Sequence, residues 1–243
     1  MHVGMVLAGA LPALIAMYYV DRLDAARPEP RWSLRKVAIA GGLAIIPCVI
    51  LELLLARVGP AAGWPKVLFT AFIVAGAVEE LAKLLCLRWF IWHAPELDER
   101  MDGIVYASRA GLGFALVENV LYLLQEHTLG GQLQLWVMRA ALAVPGHAMW
   151  TGMIGAMAAR RRFDRKGLGL IAGYLLAVAF HGAYDMCVFL QQPLHFEGYE
   201  TLTKLVMPAI IGLTVLAFFV LRSMAKKALQ LDDIDAAKLP APV

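Results

Sequence analysis

Long apolar runs alternate with short polar connections along this chain. Seven runs can be recognised, at residues 3–20, 34–56, 66–92, 103–125, 133–159, 167–190 and 202–222. A helix needs about 20 predominantly apolar residues to cross a bilayer, and longer runs can tilt. None of the runs alternates with a period of two, so helices are expected rather than the strands of a barrel. The pattern predicts an all-α membrane protein, a polytopic bundle of about seven transmembrane helices.

The composition supports this class. Of the 243 residues, 60% are hydrophobic, and the mean hydropathy is +0.67, which excludes an ordinary soluble domain of this length. The net charge of +3 is small and gives no indication of a nucleic-acid partner. Cys48, Cys86 and Cys187 lie singly in separate runs. We predict that they are packing residues rather than disulfide partners or metal ligands.

Basic residues predict the orientation. Lys and Arg are concentrated in the connections after the first, third and fifth runs and after the last run, and are sparse in the others. The positive-inside rule therefore places the N-terminus outside and the C-terminus in the cytoplasm. The first run lacks a basic segment before it, so a retained helix is expected rather than a cleaved signal peptide. We expect one transmembrane domain over residues 1–243, in which 223–243 form a frayed cytoplasmic tail.

Four of the runs carry ionisable or polar residues near their middle. The set consists of Glu79, Glu80 and Lys83 in the third run, Glu118, Asn119 and Tyr122 in the fourth, Arg139 and His147 in the fifth, and His181 and Asp185 in the sixth. A charged side chain at that depth costs roughly 2.5–3.5 kcal/mol on insertion scales, so each is expected to have a polar partner. Glu79 and Lys83 are one helical turn apart and can pair. Glu80 points about 100° away and needs a partner on another helix.

The depths of these residues agree. With a rise of about 1.5 Å per residue, the distances from the basic ends of their helices are roughly 20 Å for His147, 22 Å for His181 and 24 Å for Glu118. Glu79 is about 14 residues from the other end of its helix, again near the middle. We therefore predict that four helices place ionisable groups at one level of the membrane. Arg139 and Arg109 are interpreted as structural ion-pair or snorkelling residues.

The fourth run also carries a stripe of small residues. Gly103, Ala107, Gly111 and Ala115 follow one another at four-residue spacing. Such a stripe allows a neighbouring helix to approach closely, so we expect tight packing along this face.

At these positions the chain resembles the PrsW family of intramembrane proteases, which is related to CAAX-prenyl endopeptidases and bacterial Abi-type membrane proteins. The matching segments fall in order within residues 66–190 and are Glu79–Lys83, Asp102–Tyr106, Gly111–Ala115, Glu118–Tyr122, His147 with Thr151 and Gly152, and His181–Asp185. Ser108 and Arg109 depart from the small residues of the family pattern. The resemblance implies hydrolysis of a membrane-bound protein or peptide in a bacterial inner (cell) membrane, with an anti-sigma factor as the type of substrate.

A metal-free mechanism is the favoured hypothesis. The predicted catalytic residues are Glu79, Glu80, Glu118, His147 and His181, supported by Lys83, Asn119, Tyr122 and Asp185. Glu79 with His147 would deprotonate a water molecule, and Glu80 or Glu118 would hold a shared proton. His181, oriented by Asp185, would stabilise the oxyanion or protonate the leaving amine. Asn119 and Tyr122 would be spare donors at the same level.

Three alternatives stay open at this point. Zinc held by His147, His181 and a glutamate, Glu79 or Glu118, would make the protein a metalloprotease, although no HExxH pair is present. A proton- or ion-coupled transporter also uses membrane-embedded Glu and His, but no inverted repeat is visible. A non-catalytic binding or immunity protein could use the same pocket for a peptide or a lipid.

Overall fold

The computed structural model describes residues 2–238 of the chain, which are almost entirely helical. No strand occurs in this part, so the predicted all-α class is confirmed. In chain order the segments are α1 (His2–Asp21), α2 (Arg31–Leu43), α3 (Ile45–Val58), α4 (Gly63–Leu68), a first π-helical segment (Phe69–Ala77), α5 (Val78–Phe90), α6 (Arg100–Gln125), α7 (Leu129–Met138), a second π-helical segment (Arg139–Ala143), α8 (Val144–Asp164), α9 (Leu170–Phe196) and α10 (Glu200–Ala236).

These segments form seven continuous helical units, which correspond to the seven predicted runs. The helix α2 continues into α3, the first π segment joins α4 to α5, and the second joins α7 to α8. Within residues 2–238, α1, α2–α3, α6, α9 and α10 are long and apolar enough to cross a membrane. Large apolar side chains such as Leu14, Ile50 and Phe219 are exposed on their outer faces. This exposure is expected where lipid, rather than water, surrounds the bundle.

The basic connections meet at one end of the bundle, which we call the basic end. It comprises the connections 22–30, 91–99 and 165–169 together with the last turns of α10. Ion pairs join these pieces, since Arg27 contacts Glu99 and Asp233, and Arg100 contacts Asp164. The connections 59–62, 126–128 and 197–199 lie at the opposite end. The alternating charge pattern of the sequence therefore corresponds to two distinct ends.

The helix α6 lies at the centre of the bundle and packs against α1, α2 and α8. Its small-residue stripe allows backbones to touch, as predicted. A Cβ placed on Gly155 of α8 would lie 1.8 Å from the carbonyl oxygen of Gly103, and one placed on Gly111 would lie 2.4 Å from that of His147. The cysteines are free thiols, as expected, with Cys48 and Cys86 buried.

The C-terminal segment differs from the expectation of a frayed tail. The helix α10 continues to Ala236 instead of ending near residue 222. Asp232 is buried near its end and accepts hydrogen bonds from the backbone of Arg100 and Met101 at 3.1 and 3.0 Å. These contacts satisfy N–H groups at the start of α6, which explains why a charged segment stays helical. Residues 239–243 of the expected tail lie outside the described part.

Candidate active site

Two glutamates and a lysine occupy the first turns of α5, directly after the first π segment. The Lys83 ammonium lies 3.1 Å from Glu79 Oε2 and 2.9 Å from Glu80 Oε1. All three side chains are buried, and those of Glu80 and Lys83 are fully inaccessible. The predicted pair of Glu79 with Lys83 is present, and Lys83 serves both carboxylates. Glu80 also has the partners on other helices that its direction required, Thr151 Oγ1 at 3.0 Å and His181 Nδ1 at 3.0 Å.

A second group of charged residues links α6 to the continuous helical unit formed by α7 and α8. Arg139 in the second π segment donates to Glu118 Oε2 at 2.5 Å, and His147 Nε2 lies 2.9 Å from the same oxygen. Arg139 Nε also donates to Asn119 Oδ1 at 2.8 Å, while the Asn119 amide donates to the Gly9 carbonyl at 2.7 Å. The amide of Asn119 is therefore not a spare donor, because it ties α6 to α1. Arg139 is the ion-pair residue that the sequence indicated.

His147 connects the two groups. Its Nδ1 lies 2.9 Å from Lys83 Nζ, and its Nε2 faces Glu118. An ammonium can only donate, so Nδ1 accepts and the ring hydrogen is assigned to Nε2, which donates to Glu118. The ring is therefore neutral and held at both nitrogens. This imidazole therefore joins the Lys83 ammonium of α5 to the Glu118 carboxylate of α6.

His181 has a different environment. Its Nδ1 faces Glu80 at 3.0 Å, and its Nε2 faces Asp185 at 3.3 Å and Glu79 at 3.9 Å. Since both ring nitrogens point at carboxylate oxygens, the arrangement fits a protonated ring that donates from both sides. The ring of Trp150 stacks on His181 with a centroid distance of 4.4 Å. The stacking fixes the plane of the imidazole.

A cavity of about 690 Å³ runs from this cluster towards the opposite end of the bundle. Its inner wall includes Glu79, Glu118, His147, His181, Asp185, Trp150 and Tyr184, and its outer part includes Tyr122, Glu126 and Gln134. Glu80 is not among the described residues that line it. Of the two adjacent glutamates, Glu79 therefore faces the space in which a substrate and a water molecule could meet.

The local backbone explains why these side chains point inwards. Both π segments end immediately before the functional turns, one before Glu79 and the other shortly before His147. Single π turns inside helices are frequent at functional sites because they shift the register of the side chains that follow. Pro145 lacks an N–H group, so it weakens the regular helical ladder just before His147. The close approach at Gly111 then sets the backbone of His147 against α6.

Three of the buried residues could hold a metal ion. Glu79, His147 and His181 each offer one ligand atom, and these atoms lie within 4.8 Å of one another. Two imidazoles and one carboxylate are the ligand set of several catalytic zinc sites, so the residues fit zinc by type. Glu118 is not part of this group of ligand atoms, and its Oε2 contacts Arg139 and His147.

Sequence reasoning missed Glu52 as a residue of this site. It is the one acidic residue of the second apolar run, and it lines the same cavity as Glu79. An isolated carboxylate in an apolar run is a usable signal, since such residues rarely face lipid. The position of Tyr122 was also not predictable from the sequence, because it depends on a tertiary contact. Its ring lies 4.1 Å from the Arg139 guanidinium in a cation–π contact.

Comparisons with known proteins identify the family of the chain. The model of the PrsW family of intramembrane metalloproteases matches residues 29–224. The chain is 28% identical over 195 residues to Protease PrsW of Clostridioides difficile, covering 79% of this chain and 82% of that protein. It is 27% identical over 217 residues to Protease PrsW of Oceanobacillus iheyensis, covering 88% and 93% respectively.

A third relative gives a similar result. Protease PrsW of Geobacillus kaustophilus is 31% identical over 180 residues, which cover 73% of this chain and 76% of that protein. No solved structure matches the chain. The family match covers most of the chain and includes all the buried ionisable residues of the candidate site, namely Glu79, Glu80, Lys83, Glu118, His147 and His181. The protein therefore belongs to the PrsW family of intramembrane proteases.

Proposed function

We propose that this protein hydrolyses a peptide bond of a membrane-bound substrate in the cavity, with Glu79 as the general base. The observation that carries the proposal is the position of Glu79, the glutamate of the adjacent pair that lines the cavity. It lies 3.1 Å from Lys83 Nζ and 3.9 Å from His181 Nε2. A carboxylate held between two cations and open to the cavity can accept a proton from a water molecule.

The neighbouring residues have complementary roles in this mechanism. Water attacks the carbonyl carbon and gives its proton to Glu79. His181 is protonated and held by Glu80 through Nδ1. Its Nε2–H, which also faces Asp185, stabilises the oxyanion, and this proton passes to the leaving amine as the C–N bond breaks. Glu118 and Lys83 hold His147 in place from both ring nitrogens, so that its edge forms part of the cavity wall.

The shape of the cavity supports a substrate that enters from the end opposite the basic end. Its lining continues from the cluster to Glu126 and Gln134 near the connection 126–128. If the basic end is cytoplasmic, as the positive-inside rule indicates, the cavity opens towards the outside of the cell. We propose this orientation, with a single-pass protein of the anti-sigma-factor type as the substrate. The cleaved bond would then lie within the bilayer, at the level of Glu79, and the substrate would reach it from the outer side.

A zinc-dependent form of the same reaction is the second candidate. The convergence of Glu79, His147 and His181 favours it, as does the family description as a metalloprotease. Zinc held by these residues would supply a Lewis acid that activates water. The position of Lys83 favours the metal-free form, because its ammonium lies 2.9 Å from His147 Nδ1 and would repel a dication.

Reconstitution tests the proposed activity. The purified protein is placed in proteoliposomes with a single-pass substrate, and the fragments are identified by mass spectrometry. We expect the wild-type protein to cleave and His147→Gln to cleave more slowly and to have a lower Tm, because this imidazole joins Lys83 to Glu118. A folded wild-type protein that binds the substrate without cleaving it would contradict the proposal and favour a binding protein.

Chelation separates the two mechanisms. The metal-free form predicts that cleavage persists after exhaustive dialysis against a chelator, with less than one zinc per chain by elemental analysis. Loss of cleavage on chelation, restored by added zinc, would instead establish the second candidate.

A further inference from the structure

A group of carboxylates at the basic end is separate from the candidate active site. Asp24 comes from the connection between α1 and α2, whereas Glu99 and Asp102 come from the start of α6. Each offers one oxygen atom, and these atoms lie within 4.8 Å of one another. Asp102 is 16 residues from Glu118 on α6, which corresponds to about 24 Å along the helix axis. These three carboxylates are therefore too far from Glu118 to contact it or to take part in a reaction in the cavity.

Several oxygen atoms of these carboxylates receive no hydrogen bond from a protein donor among the described residues. Asp24 is only 2% exposed, and no N–H or hydroxyl group of the described residues donates to either of its oxygens, whose polar neighbour is the Glu99 carboxyl. Asp102 is fully buried and accepts from the backbone of Asp98 and Glu99 through Oδ2, while no N–H or hydroxyl group donates to its Oδ1, and the Glu29 carboxyl is its acidic neighbour. Buried polar groups are normally satisfied, so unpartnered oxygens that converge on one point indicate a ligand.

Of the three carboxylates, Glu99 alone forms an ion pair among the described residues. Glu29 adds a fourth carboxylate, which accepts a hydrogen bond from Tyr106. Arg27 contacts Glu99 Oε2 at 2.5 Å, but it also contacts Asp233. The close carboxyl groups therefore need either shared protons or a cation.

We propose that Asp24, Glu99 and Asp102 bind a hard divalent cation of the Ca²⁺ or Mg²⁺ type. Oxygen-only ligands favour these ions over zinc or copper. A separation of up to 4.8 Å between ligand oxygens matches opposite positions around an ion with Ca–O distances of about 2.4 Å. Clefts of about 340 Å³ and 500 Å³, which share Glu29, flank the group and give an ion and its remaining water ligands access from the basic end.

The consequence of binding is a link between two parts of the chain. The connection 22–30 has no regular helix of its own, and the cation would join it to the N-terminus of α6. The ion would also neutralise carboxylates that otherwise repel each other. We expect it to stabilise the folded protein without taking part in peptide-bond hydrolysis, since it binds about 24 Å from Glu118 along α6.

Thermal unfolding and direct binding test the proposal. The full chain in detergent micelles, with Glu79→Gln introduced to remove one ligand of the candidate zinc site, is titrated with Ca²⁺, Mg²⁺ and Mn²⁺ after chelator treatment. Millimolar cation is expected to raise Tm and to give about one bound Mn²⁺ per chain by electron paramagnetic resonance. Asp24→Asn is expected to weaken binding by roughly tenfold or more and to abolish the Tm shift.

Asp98→Asn is the matched control, because it removes an exposed acid from the same connection as Glu99 and leaves the three ligands intact. It should retain both the Tm shift and the bound Mn²⁺. If Asp24→Asn does not fold, Glu99→Gln replaces it. The proposal is overturned if the wild-type ligand set binds no Mn²⁺, or if Asp24→Asn and Asp98→Asn respond equally. The carboxyl groups would then share protons instead.

Discussion

At the scale of single residues, the buried charges form two connected groups. Lys83 forms ion pairs with both glutamates of α5, Arg139 forms one with Glu118, and His147 joins the two groups through its two nitrogens. Removing one partner of a buried pair leaves an uncompensated charge, which is more harmful than losing both. The effects of substituting the two members of a pair on the free energy of unfolding should therefore not be additive.

A double-mutant cycle on Arg139 and Glu118 tests this coupling. Arg139→Gln and Glu118→Gln should each destabilise the protein by about 3–5 kcal/mol, because each leaves a buried charge. The double variant should be less destabilised than the sum, with a coupling of about 1–3 kcal/mol. Unfolding in mixed micelles measures all four proteins. Strict additivity would contradict the contact between the two side chains.

The sequence predicted which residues meet, but not how each is used. The depth of Glu79, Glu118, His147 and His181 was readable, because helical rise converts sequence position into depth. The choice between Glu79 and Glu80 was not, since adjacent glutamates have the same chemistry and differ only in the helices that they face. That difference depends on the tertiary partners of Glu80, on α8 and α9.

At the scale of helices, the packing of α6 against α8 determines where His147 lies. The backbones of Gly103 and Gly155 approach so closely that an added Cβ has no space. In a lipid environment such small-residue contacts are a main source of helix association. A substitution that weakens the contact between α6 and α8 should therefore also displace His147 from its position in the site.

Gly155→Ala tests this dependence. A methyl group 1.8 Å from the Gly103 carbonyl must push the helices apart, which should lower stability by about 1–3 kcal/mol and reduce cleavage. Gly212→Ala on α10 is the matched control, because no atom lies within 4 Å of its added Cβ. It should be neutral or slightly stabilising, by up to about 1 kcal/mol. Equal Tm values for the two variants would argue against the close contact.

The helices were predictable in number, but their internal irregularities were not. Apolar run length predicts a span, whereas the π segments and the break between α2 and α3 depend on how neighbouring helices pack. The helical end of α10 was also missed, because the partners of Asp232 lie more than a hundred residues earlier, at Arg100 and Met101. Such contacts leave no periodic signal.

At the scale of the whole molecule, the cavity and the basic end lie on opposite sides of the charged cluster. The orientation that we propose makes the cavity accessible from outside the cell and the basic end accessible from the cytoplasm. Both ends present exposed residues that can be replaced by cysteine, among them Gln134 in the cavity and Asp98 at the basic end.

Thiol labelling of whole cells tests the orientation. With Cys48, Cys86 and Cys187 replaced by alanine, Gln134→Cys should react with a membrane-impermeant maleimide in intact cells. Asp98→Cys should react only after permeabilisation. The reverse pattern would show that the cavity opens to the cytoplasm.

The central claim is that Glu79 is the base of a peptide-bond hydrolase, and its most direct test is the cleavage rate of Glu79→Gln relative to the wild type in the same proteoliposomes. Removing a general base should lower the rate by about 10²–10⁴-fold. Glu197→Gln, at an exposed connection, should cleave at the wild-type rate. Wild-type cleavage by a folded Glu79→Gln protein would contradict the claim.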